Sequence, residues 1–160
     1  GHDRTVDCPG AAQIGRLPDL RGVRGEMLML ETAEMKLSRP VRLLHPRHPI
    51  YIVPRERNRF MVGATMIESG DAGPVTARSL MELLNAAYAL HPAFGEARLT
   101  ETGAGIRPAY PDNLPRVTEE NGILHVNGLY RHGFLLAPAM AGEVARQLLA
   151  EQGQKQRRAS

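Results

Sequence analysis

Tryptophan is absent from this 160-residue chain, cysteine occurs once, and the aromatic complement stops at three phenylalanines and four tyrosines. A single thiol, Cys8, excludes an internal disulfide and fits a reducing compartment, so the expected location is cytoplasmic. No apolar run approaches the roughly 20 residues that cross a bilayer, and no membrane partner is expected. The net charge of +3 is a local effect of the stretch QGQKQRRAS. Lys155, Arg157 and Arg158 have no acidic neighbour there, and the other basic residues balance the 17 acids. With no basic face and few rings for base stacking, nucleic acid is not an expected partner. Also missing are G-x-G-x-x-G, a P-loop and G-x-S-x-G, so no dinucleotide, phosphate-loop or nucleophile-elbow signature is present. His45 and His48 have H-x-x-H spacing, but the flanking prolines prevent a helix from aligning their nitrogens, and no metal is expected.

What is there alternates between strand-like and helical patterns. Residues 3–14 form a short extended piece ending at a Pro-Gly break, and residues 17–25, LPDLRGVRG, read as a charged linker. Strands are expected at Met27–Leu30, Val41–Leu44, His48–Pro54 and Phe60–Met66. The polar loop Arg55–Arg59 joins the last two as a hairpin, with Asn58 suited to a left-handed turn position. Residues 76–91 give the clearest helix: Leu80, Leu83, Leu84 and Ala87 share a face, Thr76 can cap the start, and Pro92 ends it. Arg98–Thr102 is a half-exposed strand, Arg116–Thr118 pairs with Ile123–Val126 across the Asn121-Gly122 turn, and a final helix covers about 134–150. The order implies an α+β fold with a mainly antiparallel or mixed sheet and a flanking helix.

Three places carry candidate chemistry. In GLYRHGFLLAPAMAGEVA a helix starts on glycine, not on a side-chain cap. Helix N-termini expose N–H groups and partial positive charge, so an electron-rich ligand can approach there. The same pattern also suits a glycine-rich loop ahead of a tightly packed helix. Arg107 lies between a glycine pair and Pro108, which forces extended backbone. Its guanidinium, like that of Arg131, either solvates a surface or forks onto a carboxylate. Tyr51, in the apolar alternation HPIYIVP, is either a core tyrosine or one whose hydroxyl emerges at a sheet face.

Together GVRGEM, YIVPRERNRFMVGATM, GAGIRPAYPDNLPRV and GLYRHGFLLAPAMAGEVA resemble, in the same order, the C-terminal half of the glycine oxidase branch of the D-amino-acid oxidase superfamily. TVDCPGAA resembles the point where that family's FAD domain crosses to the substrate domain. The resemblance runs from about residue 3 to 150. It implies a fragment: 1–22 as FAD-domain remnant and linker, 23–104 as part of the substrate domain, and 105–151 as the C-terminal strand–helix part of a Rossmann-type FAD domain. Residues 152–160 are expected to be a disordered basic tail.

The implied substrate residues are Arg107 and Tyr51 on the substrate carboxylate, Arg131 at the flavin and substrate side, and Met66 lining the pocket. The implied cofactor side is Gly105, Leu129, Tyr130, Arg131, His132, Gly133, Phe134 and Leu135. FAD is the implied cofactor of the intact enzyme. The implied reaction takes glycine or another small amino acid to its imine with peroxide formation, for thiamine (thiazole) biosynthesis, and no side chain is implied as a catalytic base. The implied partners are the small amino acid, an N-terminal FAD-binding half and further copies of the chain. The competing expectations are a non-catalytic interaction or oligomerisation module, and one chain of a two-chain oxidase.

Overall fold

The computed structural model describes residues 4–46 and 49–159, so His48 of the histidine pair, and the start of the strand expected from it, lie outside the described residues. The elements are β1 (Thr5–Asp7), β2 (Arg21–Glu31), β3 (Val41–Leu43), β4 (Ile50–Arg55), β5 (Arg59–Gly63), β6 (Ile67–Glu68), α1 (Ala77–Leu90), β7 (Arg98–Ala109), β8 (Arg116–Glu120), β9 (Ile123–Asn127) and α2 (Gly133–Ala159). The fold is α+β, with antiparallel and mixed sheets. No helix among the described residues is long and apolar enough to cross a membrane. The chain divides into two compact units, Val23–Ile106 and a second made of Gly1–Gly22 with Arg107–Ser160.

In the Val23–Ile106 unit the strand order is β3-β4-β5-β2-β6, with β7 also paired to β2. Alternation decides which face is buried, because successive strand residues point to opposite sides. Leu28 and Leu30 on β2, Ile50 and Ile52 on β4, and Phe60 and Val62 on β5 form one core with Leu83, Ala86 and Ala87 of α1. Phe60 and Phe94 close it edge to face, with centroids 5.5 Å apart. α1 starts where Thr76 accepts the Ser79 N–H at 3.2 Å, and stops at His91, ahead of Pro92. In the β4–β5 hairpin, Arg57 and Asn58 have φ of 60° and 56°, the left-handed region that Asn tolerates well.

In the second unit β1 pairs in parallel with β9, and β8 pairs antiparallel with β9 through the Asn121-Gly122 turn. Leu124 and Val126 on β9 bury Val144 of α2, with Met140 and Leu148 packed alongside. Gly128, at φ 78°, has the Tyr110 ring where a Cβ would stand, so only glycine fits this exit from β9.

Four boundaries differ from the sequence reading. The charged linker at 17–25 is partly strand: β2 begins at Arg21, and Arg24 and Glu26 are 2% and 0% exposed on the side chains' buried face. The expected Phe60–Met66 strand stops at Gly63 and resumes at Ile67. The expected Arg98–Thr102 strand continues to Ala109, so Arg107 lies in extended backbone near the end of β7, as its Pro108 neighbour implied. α2 runs to Ala159, past the expected end near 150 and through positions 152–159 of the expected tail. Arg4 ties that extension down, donating to Glu119 at 2.9 Å and to Glu151 at 2.8 Å. The Gln, Lys and Arg residues of the extension are also good helix formers.

Candidate functional site

Within the Val23–Ile106 unit, Tyr51 sits mid-strand in β4, opposite Gly63 of β5 and Arg42 of β3. Its neighbours Ile50 and Ile52 point into the core, so its ring takes the other face. A Cβ at Gly63 would stand 2.9 Å from the Tyr51 Oη and 3.0 Å from Cζ. The ring therefore lies flat across the glycine, and the missing side chain fixes where the hydroxyl goes. Met66 is 43% exposed and lines a cleft of about 170 Å³ with Ile50, Ala64, Thr65, Arg78 and Glu82. Tyr51 is not among the residues lining that cleft. Gly105 is exposed on β7.

Beside Thr65, which bonds the Glu26 N–H, lies a polar cluster that the sequence reading missed. Arg24 Nε donates to Glu26 Oε1 at 2.7 Å, and its remaining nitrogens donate to the carbonyls of Asp71, Gly73 and Pro74. Glu26 accepts from the Thr76 N–H at 3.3 Å. Burial alone would push the Glu26 carboxyl up. Hydrogen bonds from Ser79, Arg24 and Thr76, with the Arg24 charge, outweigh it and hold the group below the usual carboxylate range. The available signal was the spacing R-x-E-x-L-x-L, which puts Arg24, Glu26, Leu28 and Leu30 on one strand face.

In the second unit, Arg107 is half-buried near the end of β7 and leads into buried Ala109 and Tyr110. The β9–α2 connection carries the remaining residues. Leu129 and Tyr130 are half-buried, with Tyr130 at φ 47°, while Arg131 and His132 are exposed. Gly133 opens α2, followed by Phe134 and Leu135, which are 96% and 75% exposed. No acidic side chain occupies the first turn of α2. Leu129 and Tyr130 also line an apolar hollow of about 530 Å³ with Val6, Val126, Met140 and Val144.

Residues 1–147 match the family described as FAD dependent oxidoreductase. The chain belongs to that family. A protein named as a thiamine biosynthesis oxidoreductase, ThiO, in Rhizobium etli is 85% identical over 159 residues, covering 99% of this chain and 49% of its own length. The crystal structure of glycine oxidase from Geobacillus kaustophilus superposes with a TM-score of 0.68 at 32% identity, covering 84% of this chain and 36% of that one. The Bacillus cereus glycine oxidase structure gives a TM-score of 0.70 at 27% identity, covering 85% and 40%. The chain thus spans about half or less of the relatives it matches.

The residues present fit a flavin edge in one specific respect. An electron-rich ring edge needs positive potential without a competing carboxylate, and α2 presents its N-terminus with no acid in the first turn. The exposed Phe134 and Leu135 beside it offer the apolar contact that a planar ring requires.

Proposed function

We propose that this chain is the substrate-gripping and flavin-edge portion of an FAD-dependent oxidase of small amino acids, with glycine the first substrate. The observation that carries the reading is the 85% identity to the ThiO protein across 99% of this chain. Four sequence positions with chemistry suited to the reaction, Tyr51, Met66, Arg107 and Arg131, support it. In this reading Val23–Ile106 belongs to the substrate domain, and the rest to the FAD domain, completed by an N-terminal half.

The reaction removes a hydride from the α-carbon and a proton from the amine, leaving a C=N bond. Dioxygen takes up the two electrons and two protons as hydrogen peroxide. FAD, when bound, supplies the two-electron acceptor between amine and dioxygen. The chain's own work is binding and orientation. Arg107 forks onto the substrate carboxylate, and the Tyr51 hydroxyl, aimed by Gly63, adds a second hydrogen bond. Arg131 would stand on the flavin and substrate side, and Met66 would limit pocket volume. Gly105 and the backbone of Leu129–Leu135 would hold the ring, with the N-terminus of α2 favouring negative charge there. No side chain is needed as a base, because holding the α-carbon in one orientation is the main requirement. The imine product suits thiazole formation in thiamine biosynthesis.

The test is peroxide production by the full-length protein with FAD and glycine, followed by a peroxidase-coupled assay. Flavin uptake without turnover of glycine, N-methylglycine or any small D-amino acid would sink the oxidase reading. A second reading, an interaction module without chemistry, is favoured by the apolar hollow and the exposed Phe134. On the first reading an adjoining FAD-binding half covers that surface, and the 160-residue chain alone self-associates through it. Flavin uptake that appears only on adding the N-terminal half separates the two.

A further inference from the structure

The register of β2 against β5 and β6 contains a mismatch. Met27 pairs with Gly63, and Arg24 pairs with Ile67. Between those pairs Gly25 and Glu26 on β2 face Ala64, Thr65 and Met66, so the second strand carries one extra residue. Such a bulge interrupts the ladder, bends the strand and re-aims a side chain. The group re-aimed here is Met66, which turns into the cleft with Ala64 and Thr65.

A bulge leaves backbone groups in need of partners. Here the Glu26 N–H donates to the Thr65 hydroxyl at 2.9 Å, and the Thr65 N–H returns to the Glu26 carbonyl at 3.2 Å. The hydroxyl thus replaces the carbonyl that a regular ladder would have supplied. Behind it, the Glu26 carboxylate and Arg24 are 0% and 2% exposed, and they hold Asp71, Gly73, Pro74 and Thr76 by hydrogen bonds. Residue 26 is therefore pinned from its side chain while its backbone pins Thr65. Valine at position 65 has nearly the shape of threonine, yet would leave the Glu26 N–H without its acceptor.

We propose that Thr65, backed by the Arg24–Glu26 pair, is a positioning residue that sets Met66 and through it the size of amine the site accepts. This rests on the oxidase reading above for what Met66 touches, but not for the bulge itself. The experiment compares wild type, Thr65→Ser and Thr65→Val in the full-length flavoprotein by two readouts. The first is kcat and KM for glycine and for the bulkier N-ethylglycine. The second is amide hydrogen exchange across residues 63–68. Thr65→Val is expected to change the glycine to N-ethylglycine ratio of kcat/KM at least fivefold, mainly through KM, and to speed exchange at least tenfold. Thr65→Ser, which keeps the hydroxyl, is expected to match wild type in both. Unchanged selectivity in Thr65→Val, with or without faster exchange, overturns the proposal, as do equal effects of serine and valine. If wild type oxidises neither amine, the oxidase reading is what fails. Exchange then decides alone: tenfold faster in valine only supports the hydroxyl as the pin of the bulge, and no difference overturns it.

Discussion

Replacing Arg24 by methionine keeps the length of the stem and deletes the charge, and the structure sets the size of the loss. Arg24 and Glu26 are in contact at 2.6 Å with side chains 2% and 0% exposed. Removing one partner of such a pair strands the other, a loss of about 3–5 kcal/mol. Two features place this case near the lower end. Glu26 keeps its hydrogen bond from Thr76, and the accompanying Arg24–Asp71 pair adds little, because Asp71 is 68% exposed. The expected loss is therefore about 3 kcal/mol, read as a drop in midpoint during urea unfolding followed by circular dichroism. The double change Arg24→Met with Glu26→Leu removes both charges and is expected to recover at least half of that, since no unpaired charge stays buried. A single-variant loss below about 1 kcal/mol, or a double variant as unstable as the two singles added, would refute the reasoning.

Acidification reports on the same pair. Glu26 is held below its unfolded value of about 4.3, so its contribution is complete above that pH and fades as pH falls through the folded value. Wild type should lose urea resistance below about pH 4.3 more steeply than Glu26→Gln, and parallel slopes would contradict the assignment. In Gly63→Ala, the new Cβ meets the Tyr51 Oη at 2.9 Å and displaces the ring. We expect at least a tenfold rise in KM for glycine in the full-length enzyme with little change in melting temperature; a normal KM would detach Tyr51 from the substrate. Arg107→Ala should raise KM at least tenfold, about 1.4 kcal/mol of lost binding, and an unaltered KM would remove it from the carboxylate grip. Arg4→Ala releases Glu119 and Glu151 at partly exposed sites, so we expect little change in global stability but faster amide exchange in the last turns of α2. Unchanged exchange there would mean that Arg4 does not hold the helix end.

Legibility followed from how local each signal was. α1 could be read because its cap, apolar face and terminating proline all lie within its own residues. The Asn121-Gly122 turn was equally self-contained, with φ of 51° and 77° supplied by the two residue types that favour it. β2 was read short because Arg24 and Glu26 look like linker charges until Ser79, Thr76 and the 71–74 carbonyls, from about fifty residues away, are placed around them. The tail of α2 was misread for the same reason, since Arg4 and Glu151 are 147 positions apart.

The candidate site divides along the same line. Tyr51 and Arg107 could be singled out from short motifs, but neither motif shows that Tyr51 depends on an empty Gly63 across the ladder. Nor could composition reveal that one surplus residue between Gly63 and Ile67 turns Met66 toward its cleft. Residues that touch a ligand tend to sit in recognisable chemical company, whereas residues that aim them are defined by register. Mutations chosen from motifs alone would therefore test the proposed carboxylate grip and Met66 itself, and leave untouched Gly63 and Thr65, whose roles come from the register.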